Sequence, residues 1–208
     1  MKHFGKIAIL GALIVASSSF AFATPITPGQ QNLTPSLTPA PNGTLFGSDS
    51  GSISAPTFTA SWVESVYEGG TNSLCPTCLA FAFTFTNNGA ADLEELAVSS
   101  FLNFTTDGDY VAGTGFAPTL LSETSDGTIN YNFSNVTPGG SSDEVVIFTN
   151  ATSDTSGYIT LQDSTSGNAV DLAPALTSTP EPSSLMLLGT GLLGAAGFAR
   201  RKFASKGI

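Results

Sequence analysis

Between Thr24 and Thr179 the chain has no lysine, no arginine and no histidine. Its six basic residues are Lys2, Lys6, Arg200, Arg201, Lys202 and Lys206, and its one histidine is His3. Sixteen acidic residues oppose them, and all but Glu181 fall inside the base-free stretch. That imbalance excludes a nucleic-acid partner, because phosphate recognition rests on Lys and Arg. It disfavours docking on an anionic lipid surface for the same reason. Side-chain ion pairs cannot form within the stretch, so apolar burial and backbone hydrogen bonds must hold it. Without histidine there is no Ser-His-Asp triad and no Cys-His pair. Without lysine there is no Schiff base and no P-loop.

What is present is concentrated at the two ends. Lys2, His3 and Lys6 form a basic region, Ile7 to Ala16 an apolar one, and Ala21-Phe22-Ala23 a small-x-small cleavage site before Thr24. This is the pattern of a secretory signal peptide, residues 1–23, which stands apart from the fold. It implies Sec-type export machinery and a signal peptidase as partners. At the other end stand Pro180-Glu181-Pro182-Ser183-Ser184, an apolar stretch from Leu185 to Ala199, and then Arg200-Arg201-Lys202. As a helix, residues 184–199 would be roughly 24 Å long, against a hydrocarbon core of about 30 Å. The stretch is apolar all round, and the basic cluster behind it is of the kind that stays cytoplasmic. A single transmembrane helix at about 184–199 is therefore expected, with the body outside. The signal peptide requires that same orientation.

A short polar motif (180–184), one apolar segment and a basic stop (200–202), in that order, resemble the PEP-CTERM sorting signal of exported bacterial proteins. The resemblance covers residues 178–208. It implies an exosortase-type membrane protease acting at Pro180, Glu181, Pro182 and Ser183. It also implies a precursor tethered to the inner membrane, delivery to the surface of a Gram-negative envelope or beyond, and association with exopolysaccharide or biofilm matrix.

The body reads as all-β. Residues 24–55 are rich in Pro, Thr, Ser and Asn and form an extended lead-in, with a short strand expected at Thr44–Phe46. From residue 56, apolar and polar residues alternate with a period of two. Phe58, Ala60 and Trp62 share one face, and Leu79, Phe81, Phe83 and Phe85 another. Further strands are expected at Val98–Phe104, Thr128–Phe133, Val145–Thr149 and Tyr158–Leu161, and a helical turn at Ala90–Leu96. Asn87-Asn88-Gly89, Asp107-Gly108-Asp109, Asp126-Gly127 and Pro138-Gly139-Gly140 punctuate them. Short strands with turn signals between them predict an antiparallel β-sandwich over 56–177, Ig-like or jelly-roll-like.

Three chemistries survive the exclusions. Cys75-Pro76-Thr77-Cys78 can be a disulfide formed in an oxidising envelope, a pair of free thiols or a redox centre. It runs into a strand and not a helix, and it supplies only two of the four ligands a zinc site needs. Paired carboxylates suffice for glycoside hydrolysis, and Glu64 with Glu68, or Asp143 with Glu144, are the pairs to test. Asp107-Gly108-Asp109 and the acidic runs Asp92–Glu95 and Glu123–Asp126 could supply calcium ligands, though none matches an EF-hand. Nothing distinguishes any of these acids from a solvated surface. The expectation is thus a non-enzymatic envelope or matrix protein without a cofactor. A carbohydrate- or calcium-binding module is the alternative, and an envelope glycoside hydrolase a remote one.

Overall fold

The computed structural model describes residues 24–72, 74–176 and 190. The signal peptide and nearly all of the sorting tail lie outside that set. No helix of the described residues is long and apolar enough to cross a membrane; the apolar stretch 185–199, apart from Thr190, was not among them.

Twelve strands make up the body: β1 (Pro25–Ile26), β2 (Ser36–Leu37), β3 (Thr44–Ser54), β4 (Thr59–Glu68), β5 (Leu79–Asn87), β6 (Leu93–Val98), β7 (Thr106–Val111), β8 (Pro118–Glu123), β9 (Ile129–Val136), β10 (Glu144–Thr149), β11 (Asp154–Gln162) and β12 (Ser166–Pro174). They form two sheets. The first runs β1-β7-β10-β5-β4-β3, with β2 also on β7, and the second runs β12-β11-β6-β9-β8. Pairing is antiparallel throughout except for β2 with β7.

Period-two alternation decides what lies between the sheets. Ala60, Trp62 and Val66 of β4, Phe81, Phe83 and Phe85 of β5, and Val145 and Ile147 of β10 meet Leu96, Leu121, Ile129, Tyr131, Phe133 and Ile159 of the second sheet. Phe85 stands edge-on to Phe133 at 5.3 Å between centroids. Opposite residues of the same strands, Ala80, Ala82, Val146 and Phe148, form a smaller cluster with Leu74 against the other face of the first sheet. A buried hydroxyl ties the layers together: Tyr131 of β9 donates to the Val146 carbonyl of β10 at 2.9 Å. Buried Asn87 does the same, donating to Val136 at 2.8 Å and to Ala91 at 2.7 Å.

Several expectations give way for identifiable reasons. Ala90–Leu96 is not a helical turn; from Leu93 onward it is β6, paired on both sides. The register shift between Leu93 and Glu95 brings Leu93 and Leu96 to the same buried face, so a β-bulge imitates helical spacing. Of Val98–Phe104 only Val98 is strand. The rest is a link with Ser100 and Asn103 at positive φ, pinned by buried Phe101 standing edge-on to Phe81. Asp107-Gly108-Asp109 is not a turn but the middle of β7. Gly108 faces the other sheet, and a Cβ there would come within 2.6 Å of Ile26, 2.7 Å of Leu121 and 2.9 Å of the Tyr131 hydroxyl.

Residues assigned to the lead-in supply β1, β2 and the eleven-residue β3. The segment between β1 and β2 crosses to the second sheet. Gly29 donates to Glu123, Glu123 to Gln30, and Leu33 and Leu121 exchange both bonds. This N-terminal segment therefore laces one side of the sandwich shut. Proline disqualifies a central strand, but it is tolerated at the first position of an edge strand, where Pro25 sits. At the far end, Ala175 donates to Ser153 at 2.9 Å and accepts from the Ser153 hydroxyl at 3.2 Å, which fixes the chain just beyond β12.

Candidate functional site

Folding puts carboxyl groups where a base-free chain has least to offer them. Glu64 occupies an inward position of β4, between Trp62 and Val66, and is fully buried. Asp171, on the inward parity of β12, faces it from the other sheet and is also buried. Glu64 Oε2 accepts from the Leu172 amide at 2.8 Å, while Glu64 Oε1 and both oxygens of Asp171 have no hydrogen-bond partner among the described residues. Burial, less the help of the Leu172 amide, with Asp171 and Asp49 adding negative charge, raises Glu64 from its ordinary 4.5 to about 9. Burial likewise raises Asp171 to about 7. Glu64 is thus a neutral acid at neutral pH.

A second group lies around β7. Glu123, inward on β8, accepts from the Thr106 hydroxyl at 3.4 Å, with its other oxygen unpartnered. Asp109 is fully buried; its Oδ1 accepts from the Thr24 and Ser36 backbone N–H groups at 3.1 and 3.3 Å, and its Oδ2 has no partner among the described residues. Burial raises the pKa of Glu123, Asp107 and Asp109 alike. From sequence, Glu64 was selected only as half of a hydrolase pair and Asp107, Asp109 and Glu123 only as loop ligands for calcium, while Asp171 was not selected at all. The signal that could have found them was parity: Glu64 shares the spacing of Ala60 and Trp62, and Glu123 that of Leu121.

The carboxylate pairs named for glycoside hydrolysis are placed differently. Glu68 ends β4, exposed, two pleats along from buried Glu64. Asp143 is taken up by the loop before β8, where its Oδ1 accepts from Gly113 and Gly115 at 3.1 and 2.9 Å. Glu144 follows it directly as the first residue of β10. An open cleft of about 580 Å³, lined by Val111, Gly113, Phe116, Gly140, Asp143 and Glu144, lies beside them. The expected calcium loops are dispersed. Asp107 and Asp109 lie in β7, Glu94 and Glu95 in β6, and Asp126 in the β8–β9 turn, where Thr124 holds it. Among the described residues no three His, Cys, Asp or Glu side chains are grouped to hold a metal ion.

Cys75 and Cys78 are joined as a disulfide, with Cα atoms 5.2 Å apart. The bridge sits in the loop between β4 and β5, which folds over the outer cluster and brings Leu74 onto it. Asn72 fixes that loop more deeply. Its side-chain amide donates to Leu79 and Thr149 at 3.1 Å each and accepts from the Leu74 amide at 3.0 Å.

The remaining sequence-selected residues lie outside the described set, apart from Thr24. They are Ala21 and Ala23 of the cleavage site, the sorting motif Pro180, Glu181, Pro182 and Ser183, and the basic stop Arg200, Arg201 and Lys202. No curated protein and no solved structure matches the chain. Its C-terminal region does find a counterpart, reaching from just beyond the Ala175 anchor to the last residue of the basic stop. Residues 178–202 match the family model of the PEP-CTERM protein-sorting motif, so the chain carries a PEP-CTERM sorting signal at that position.

Proposed function

We propose that the chain is an exported, non-enzymatic β-sandwich of the bacterial envelope or extracellular matrix, associated with exopolysaccharide. Its tail tethers the precursor to the inner membrane until an exosortase-type protease processes it. The observation that carries this reading is the sorting motif at 178–202. It directly follows a body without one basic side chain. Such a body resists adsorption to anionic lipid and lipopolysaccharide through like-charge repulsion. That suits a protein meant to leave the membrane once released.

The test is the C-terminus of protein recovered from a host that carries an exosortase. It should lie near Pro180-Glu181-Pro182. Replacing those three residues with alanine should leave export intact and cause uncleaved, membrane-bound chain to accumulate. Neutralising Arg200, Arg201 and Lys202 should instead loosen the topology and reduce membrane retention. Intact Ile208 throughout the native population would reduce the tail to a plain membrane anchor.

A further inference from the structure

The Asp109 carboxylate is a built site for a cation that the body does not otherwise contain. Two observations define it. The side chain is fully buried on the outer face of β7, with Oδ2 unpartnered. Its Oδ1 lies 3.1 Å from the backbone nitrogen of Thr24. That nitrogen is an ordinary amide in the precursor. Cleavage after Ala23 changes it into an α-ammonium group, and no other amine exists between residues 24 and 179.

We propose that signal-peptide removal creates a buried ion pair between the new α-ammonium of Thr24 and Asp109, so that processing completes the fold. The inference rests on the export reading, in particular on Thr24 as first residue. The surroundings hold Thr24 in place for it. Its carbonyl accepts from Gly108 at 2.9 Å, its hydroxyl meets that of Ser36 at 3.0 Å, and β1 runs directly on into its pairing with β7. An amide N–H has a single hydrogen, already directed at Oδ1. An ammonium has three, enough to serve Oδ2 as well. The titratable groups whose charge acts on Asp109 are Asp107 on the same strand and Tyr131 on β9, both acids. Among the described residues no other cation competes for the carboxylate. Before cleavage, burial raises Asp109 against the pull of the Thr24 and Ser36 amides. The arriving charge reverses that balance.

The sign of the pH dependence follows. An α-amine normally titrates near 7.7–8.0. Pairing raises its folded pKa, so the stabilisation is fully present below the ordinary value and is lost as pH rises through the folded one. The full chain is expressed with export, the processed protein purified, and its first residue read by mass spectrometry. Competitive acetylation across a pH series, followed at the N-terminal peptide, then gives the titration of the α-amine. The expected midpoint is at least about one unit above that of the denatured chain, hence about tenfold slower acetylation near neutrality. Asp109→Asn should return it to the ordinary range. Should that variant fold poorly, inserting one alanine between Ala23 and Thr24 keeps the cleavage site and moves the ammonium by one residue. This extended protein should lose the titration shift and melt at lower temperature. Thr24 first but with an unshifted amine, or an extension that changes neither property, overturns the ion pair itself. A first residue other than Thr24 overturns the inference at its premise, and mass alone reveals it.

Discussion

Glu64 and Asp171 set the pH response of the body. Both have folded pKa values above their ordinary ones, about 9 against 4.5 and about 7 against 3.8. Groups raised in this way add no penalty below their unfolded values. Each then costs about 1.4 kcal/mol per pH unit until its folded value is passed. Stability should therefore fall steadily from about pH 5 to about pH 9, a window set by these two side chains. Glu64→Gln keeps the shape, removes the proton to be lost, and should flatten the profile. At about pH 8 it should stabilise the chain by a few kcal/mol, and near pH 5 by almost nothing. Urea unfolding of both proteins at the two pH values checks this; a wild-type midpoint that rises with pH would contradict it. The absence of bases was plain in the sequence and already favours gain of stability on acidification through self-repulsion. Which acids are buried was not plain. Glu64 has the parity of Trp62, but it takes β12, more than a hundred residues later, to cover it.

At the level of elements, alternation identified β4, β5, β9, β10 and β11, where one face is aromatic or β-branched. It failed where partners impose strand on polar sequence. Thr106–Val111 lies between β10 and the N-terminal segment, and its Asp-Gly-Asp was legible only as a turn. β12 reads Ser-Gly-Asn-Ala-Val-Asp and owes its form to nine consecutive pairs with β11. The disulfide loop shows a related hierarchy. Closing four residues should add about 2 kcal/mol by restricting the unfolded chain. Asn72→Ala would take the amide donor from the buried Thr149 carbonyl, at about 1–3 kcal/mol, and free the Leu74 amide, while the Leu79 carbonyl keeps the Thr149 hydroxyl at 2.9 Å. We expect the Cys75→Ser/Cys78→Ser variant to remain folded and Asn72→Ala to be at least as destabilised, both read by denaturant midpoint. Alkylation of native protein without reductant should leave both cysteines unlabelled.

On the scale of the whole molecule, the first and last strands are the closing pieces. The segment 24–37 seals Asp109 and Glu123, and β12 seals Glu64. A chain exported from its N-terminus cannot complete the first closure until β7 and β8 have emerged, nor the second until β12 has. The fold is thus finished only when the sorting motif itself is the next part of the chain to appear. Beyond the anchor at Ala175, five residue steps lead to Pro180, a reach of at most roughly 18 Å. The folded body is on a very short leash. A membrane protease that cuts near Pro180 would work close to a folded, negatively charged body, whose bulk is expected to shield the site from other proteases. A flexible Gly/Ser insertion after Leu176 should leave the fold and its melting temperature unchanged, yet expose the motif to added soluble protease that the native spacing resists. Equal sensitivity of the two chains would mean that the leash gives no shelter.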